Sequence, residues 1–120
     1  MKAGNVTLGL RLRVVLDRDI AIGPGKADLL DGIATTGSIS AAARRMGMSY
    51  KRAWLLVETM NRCFRTPLVA AAKGGAAGGG ARLTALGEEV LHAYRRMESA
   101  AAGAAGRDLA RLKRKLASRG

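Results

Sequence analysis

Residues 39–58 carry the spacing that most restricts what this chain can fold into: Ala43, Gly47 four positions later, Met48 directly after it, then Ala53 and Leu56. Two short helices that cross closely leave room only for a small side chain at the crossing. The tight turn between them needs a residue that tolerates positive φ, which glycine does without steric cost. Ala43 and Gly47 meet these two requirements, so the segment reads as a helix-turn-helix, with Met46, Met48, Ala53 and Leu56 filling the space between its helices. A helical hairpin without a ligand satisfies the same spacing. Neighbouring elements and charge have to decide between the two.

Ser38 or Ser40 is placed to cap the first helix of this pair through its hydroxyl, and Ser49 to cap the second. Ahead of the pair, Leu29, Leu30, Ile33 and Ala34 recur at helical steps and predict a helix over 26–36, stopped by Gly37. The third helix of the group is predicted from residue 50 to 61 or 63. Upstream, Leu10, Leu12, Val14 and Leu16 alternate with Arg11, Arg13 and Val15, Asp17-Arg18-Asp19 turns the chain, and Ile20 with Ile22 returns it. That is a hairpin, ended by Gly23-Pro24-Gly25. Downstream, Pro67-Leu68-Val69 begins an extended segment, residues 73–80 form a Gly/Ala-rich loop, and Arg82-Leu83 runs back before Thr84 caps the next helix. From there Leu86, Val90, Tyr94, Met97, Ala101, Ala105, Leu109, Leu112 and Leu116 follow steps of three or four, interrupted by Gly103 and Gly106, so the tail is one long helix or two. The expected fold is mainly α with small β-hairpins. It is a winged helix-turn-helix with a long C-terminal helix, the domain covering 1–102 and a basic helical tail 103–120.

A chain of 120 residues has room for one domain with one modest core, and no separate sensor domain of ordinary size is expected. Its 21 Lys and Arg against 9 Asp and Glu give a net charge of +12, which attracts polyanions. No run of about 18 apolar residues and no secretory signal is seen, so a cytoplasmic protein with no membrane partner is expected. Cys63 stands alone and, with His92, is too little for a zinc site, so no disulfide and no metal is expected. Both residues read as ordinary packing or surface positions. No nucleophile with a base, carboxylate pair or metal cluster stands out, and neither an enzyme nor a cofactor is expected.

On a helical wheel, the third helix turns Ala53, Leu56, Val57 and Met60 inward and Lys51, Leu55, Glu58 and Arg62 outward, with Trp54 and Arg52 on opposite flanks. In a major groove, Leu55 and Trp54 can touch thymine methyls and Lys51 can reach guanine O6/N7 or a phosphate, while Ser49 and Tyr50 face the backbone. Trp54 is equally suited to core or interface packing. Arg44, Arg45, Lys51, Arg52, Arg62 and Arg65 face Glu58 alone in the 38–66 window, an excess that favours phosphate contact over an ordinary solvated surface. The glycines of 74–80 lack the Gly-Lys-Ser/Thr ending of a nucleotide-phosphate loop. As a wing tip they let the backbone lie against the sugar-phosphate rail, with Lys73 and Arg82 supplying charge at the base.

The run Gly37-Ser38-Ile39-Ser40-Ala41-Ala42-Ala43, then Gly47-Met48-Ser49-Tyr50-Lys51-Arg52-Ala53-Trp54, Pro67-Leu68-Val69, Gly78-Gly79-Gly80-Ala81-Arg82-Leu83-Thr84 and Gly87 resembles one family. It is similar to the DNA-binding domain of ModE-type molybdate-responsive regulators, relatives of the LysR-type helix-turn-helix, over about Leu10 to Ala101. The resemblance implies a homodimer on palindromic double-stranded DNA, with Ser49, Tyr50, Lys51 and Arg52 opening the recognition helix. Full-length members hold molybdate in C-terminal domains, and no molybdate site is expected in this chain. The wing also departs from the family, reading Val69-Ala70-Ala71-Ala72-Lys73 where acidic and basic residues are usual.

The expected DNA-contacting set is Ser38, Ser40, Arg44, Arg45, Ser49, Tyr50, Lys51, Arg52, Trp54, Leu55, Lys73 and Arg82. The expected dimer interface is the apolar stripe of the last helix, Leu86, Val90, Tyr94, Met97, Leu109 and Leu112, together with the first helix, because an unpaired stripe seeks another helix. The basic tail is alternatively an arm that lies along DNA. Two rivals to a sequence-specific regulator stay open: a non-specific architectural DNA-binding protein, and a module whose long helix pairs with another protein.

Overall fold

The computed structural model describes residues 9–72 and 80–118. Its elements in chain order are β1 (Val14–Asp17), β2 (Ile20–Ile22), α1 (Pro24–Thr36), α2 (Ile39–Met46), α3 (Tyr50–Cys63), β3 (Val69–Ala72), β4 (Gly80–Leu83) and α4 (Ala85–Arg114). β1 pairs antiparallel with β2, and β3 with β4, as two separate hairpins. This is the winged helix-turn-helix with a long last helix that the sequence predicts.

The first strand is shorter than its alternating pattern suggests. Val14 pairs with Ile22, and there the partner runs out, because Pro24 starts α1 and has no N–H to offer. Residues 10–13 lie outside the hairpin, and the Leu12 carbonyl instead accepts a 2.7 Å hydrogen bond from the Tyr94 hydroxyl. For the same reason α1 begins at Pro24, two residues ahead of the expected start.

The helix ends follow local chemistry. Gly37 and Gly47 close α1 and α2 in the left-handed conformation, with φ of 72° and 67°. The sequence places the tight crossing at Ala43 within the helix-turn-helix; Ala43 is buried, but the close approach that the structure shows is between α1 and α2, where a Cβ on Gly32 would lie 3.0 Å from the Ala42 Cβ. Ala42, Ala43 and Ala53 are all buried beside it. Met46, Met48 and Leu56 are half-buried against this core, which also takes Leu29, Leu30 and Ile33 of α1 and Val57 and Met60 of α3.

α4 runs unbroken for 30 residues, through Gly103 and Gly106. A glycine costs a helix about 1 kcal/mol relative to alanine, which the surrounding Ala, Leu, Arg and Lys tolerate. α4 is continuous across 102/103, where the sequence suggested that domain gives way to tail. Only the first half of α4 is buried, through Gly87, Leu91 and Tyr94. Arg95 ties it to α1, its guanidinium 2.8 Å from Asp28 and 3.8 Å from Asp31, with Glu98 of the same helix at 3.1 Å. The hydrogen bond that Arg95 donates to the Asp28 carboxylate holds the Arg95 pKa above its ordinary value. Burial, with Glu98 adding to it, does the same for the Tyr94 phenol.

The two kinds of helical glycine in α4 predict opposite results. A Cβ on Gly87 would run into the Leu68 carbonyl, whereas Gly106 has open space around it. Gly87→Ala should lower the unfolding free energy by about 1–3 kcal/mol through overpacking. Gly106→Ala should raise it by about 0.5–1 kcal/mol. Urea denaturation of the two variants checks both signs.

Candidate nucleic-acid interface

Each helix of the helix-turn-helix is started by a serine. The Ser38 hydroxyl accepts the Ala41 N–H at 3.1 Å and caps α2; the Ser49 hydroxyl accepts the Arg52 N–H at 3.1 Å and caps α3. Of the two serines offered by the sequence, Ser38 is the cap. Ser40 sits inside α2, where its hydroxyl accepts a 3.3 Å bond from Arg44. Between the helices, the Ala43 carbonyl receives the Met48 N–H at 3.0 Å, which turns the chain and projects α3 outward.

α3 presents two surfaces beyond its buried stripe. On one flank, Ser49, Lys51, Arg52, Leu55, Leu56 and Thr59 line an open depression. On the other, Tyr50, Trp54, Val57 and Asn61 face a shallow groove closed by Ala70, Ala71, Gly80 and Ala81 of the wing. Tyr50, Trp54 and Leu55 are 55%, 45% and 48% exposed, so three large apolar groups stand in solvent on one short helix. Trp54 is thus not a core residue of this chain. Glu58, expected outward, is half-buried, and its Oε2 is buried without a hydrogen-bond partner among the described residues.

Charge is segregated. Among the described residues, every ion pair belongs to Arg95. Arg44, Arg45, Lys51, Arg52, Arg62, Arg65 and Arg82 are exposed, and among the described residues none has a carboxylate within ion-pair distance. Of the nine carboxylates, only Glu58 falls between α2 and the end of the wing; the others lie in the first hairpin, α1 and α4. The helix-turn-helix side is accordingly a field of uncompensated cations, the arrangement a phosphate backbone neutralises.

The wing is joined to α3 by a side chain that the sequence pattern did not single out. Asn61 Oδ1 accepts the N–H groups of Leu68 at 2.9 Å and Val69 at 3.0 Å, and its Nδ2 donates to the Val69 carbonyl at 3.1 Å. No local signal marks Asn61, because its partners lie seven and eight residues away. Thr84, recognised only as a cap, also donates its hydroxyl to the Pro67 carbonyl at 2.7 Å and closes the wing's base. Arg82 is exposed on β4, whereas Lys73 lies outside the described residues.

The six residues expected at a dimer interface divide. Tyr94 is fully buried within its own chain, and Leu86 and Val90 are half-buried against the same core. The apolar stripe begins as an intrachain face because the first half of α4 covers α1, so Tyr94 has no surface for a partner. Met97 and Leu112 are 40% and 65% exposed, and Leu109 is half-buried on the projecting half of α4. Cys63 is half-buried and His92 exposed. Among the described residues no group of His, Cys, Asp and Glu could hold a metal, and no helix is long and apolar enough to cross a membrane.

Residues 26–88 match the model of bacterial regulatory helix-turn-helix proteins of the lysR family. The chain is 51% identical over 90 residues to the molybdenum-pterin-binding protein MopB of Rhodobacter capsulatus, covering 74% of this chain and 33% of that protein. It is 40% identical over 88 residues to the molybdenum transport protein ModE of Azotobacter vinelandii, covering 72% and 33%. To the DNA-binding transcriptional dual regulator ModE of Escherichia coli strain K12 it is 40% identical over 83 residues, covering 69% and 32%. The match thus spans about a third of the length of these relatives. The ModE resemblance read from the Ser-Tyr-Lys-Arg-Ala-Trp run and the wing agrees with these similarities.

The capping geometry separates two adjacent serines. Ser38→Ala should cost about 1 kcal/mol of stability by uncapping α2, while Ser40→Ala should leave stability nearly unchanged. Chemical denaturation distinguishes them, and equal losses would contradict the assignment of the cap.

Proposed function

The chain belongs to the bacterial regulatory helix-turn-helix proteins of the LysR family, and from that premise we propose that it binds double-stranded DNA sequence-specifically as a homodimer and regulates transcription of molybdate-type uptake genes. One observation carries the DNA reading. The outer surface of α3 combines Lys51 and Arg52, neither with a carboxylate partner among the described residues, with exposed Tyr50, Trp54 and Leu55. Cations meet phosphates and guanine edges, and apolar tips meet thymine methyls, so this surface suits a major groove. Arg44 and Arg45 at the end of α2, and Arg82 on β4, flank it as phosphate contacts. The link to molybdate rests on the similarity to the molybdenum-pterin-binding protein MopB and the molybdenum transport protein ModE.

Selection of a preferred site from random duplexes, followed by competition with unrelated DNA, tests the proposal against a non-specific architectural protein. On the selected site, Lys51→Ala should weaken binding by about 1–3 kcal/mol and relax specificity, while Arg45→Ala should weaken selected and random duplexes alike. Log affinity should fall linearly with log salt, with a slope of about −0.9 per phosphate neutralised. A salt-independent affinity would sink the DNA reading in favour of a protein partner.

On this reading the dimer forms through α4, whose second half carries Leu109 and Leu112 beside Arg107, Arg111, Lys113 and Arg114, with Lys115 and Leu116 just past its end. Stopping the chain after Gly106 should shift the solution mass toward monomer and remove the gain from engaging two half-sites together. A truncated chain that stays dimeric and loses only salt-sensitive affinity would make the tail a basic arm. Light scattering and binding to one- and two-half-site duplexes read out the difference.

A further inference from the structure

Val69, Ala81 and Leu83 anchor the wing in the core, but toward α3 it presents mostly small side chains. The groove between α3 and the wing is bounded on the wing side by Val69, Ala70, Ala71, Gly80 and Ala81, so little interdigitation sets the angle between the two. Polar links to the backbone take over that task. At one end the Ala81 N–H donates to the Gly37 carbonyl at 2.9 Å. At the other, the single amide of Asn61, in the last turn of α3, makes three hydrogen bonds to two successive residues, Leu68 and Val69. That uses three of the four hydrogen bonds an asparagine side chain can make, in a fixed planar geometry. Asn61 also ends the α3 stripe of Tyr50, Trp54 and Val57, the same flank whose aromatic tips are exposed toward the groove. One pair along the hairpin from the clamped Val69, Ala70 faces Arg82, the exposed cation of β4.

We infer that Asn61 is a positioning residue for DNA recognition, which clamps the wing at a set angle to α3 so that base contacts by α3 and backbone contact by Arg82 are made together. This rests on the DNA-binding reading above. A wing already held in place does not have to be ordered when DNA arrives, and the contact made by Arg82 keeps its full value. Without the clamp the hairpin keeps its buried Val69, Ala81 and Leu83, its base at Thr84 and the Gly37 link, but loses the tie to α3 that fixes the angle at which Arg82 meets the phosphate.

A double-mutant cycle on the full chain separates positioning from plain stability. In the parent protein, Arg82→Ala should weaken binding to the selected duplex about fivefold, as expected for a lost phosphate contact. In an Asn61→Leu background the same substitution should have little further effect. Asn61→Asp keeps an acceptor for both N–H groups and loses only the donor to Val69, so it should fall between the two. Circular dichroism and urea midpoints establish that each variant is folded, and if Asn61→Leu does not fold the cycle is run in Asn61→Asp. Equal losses from Arg82→Ala in both backgrounds, or no loss in the parent, would overturn the positioning role while duplex binding persists. If the parent shows no salt-dependent duplex binding, the DNA reading itself falls.

Discussion

At the peptide of Leu68 three parts of the molecule meet. Its side chain is fully buried in the core, and its N–H is taken by Asn61 at the end of α3. Its carbonyl accepts both the Thr84 N–H at 2.9 Å and the Thr84 hydroxyl at 3.3 Å, and lies hard against Gly87 in the first turn of α4. Buried backbone groups need partners, and here the partners come from different elements. The recognition helix, the base of the wing and the start of α4 therefore cannot move independently. Gly87 is the residue that permits this, since any side chain there would push α4 off the carbonyl. The orientation of α4, on which a dimer would depend, is thus coupled to the outer surface of α3 that is proposed to meet DNA.

Electrostatics reinforces that division of labour. Asp28 and Asp31 of α1 and Glu98 of α4 gather around Arg95 on the scaffold side and share one guanidinium. Such half-exposed pairs contribute modestly to stability. Among the described residues, the arginines and lysines of α2, α3 and β4 have no carboxylate partner. A surface of this kind repels itself until a polyanion arrives, so affinity for DNA is expected to be strongly dependent on salt.

α4 serves two ends. Its first half is spent on its own chain through Leu91 and Tyr94, with the Tyr94 hydroxyl also securing the segment before β1. Beyond Met97 the helix leaves the domain, and the molecule extends 52 Å along its longest axis. The alternation of leucines and cations on this projecting half is what a second copy of the helix, or a phosphate rail, would complement.

The helix-turn-helix was legible in the sequence because every requirement is local: Ala43, Gly47 and Ser49 act within a few residues of where they stand. The same holds for Gly37, for Thr84 as a cap and for the inward stripe of α3. What the sequence could not settle was which face of a long apolar stripe is consumed within the chain. Leu86, Val90, Tyr94 and Met97 follow one period, yet only contact with α1 and the segment around Leu12 separates the buried Tyr94 from the exposed Met97. Nor could it mark Asn61, whose type is common at helix ends and whose partners are backbone groups that carry no residue signature. Local spacing determines which elements form, because caps, turns and periodicity act over one or two helical turns. Which polar groups join those elements, and which side chains remain free for a partner, is decided only when the backbone brings distant carbonyls and N–H groups within 3 Å of one another.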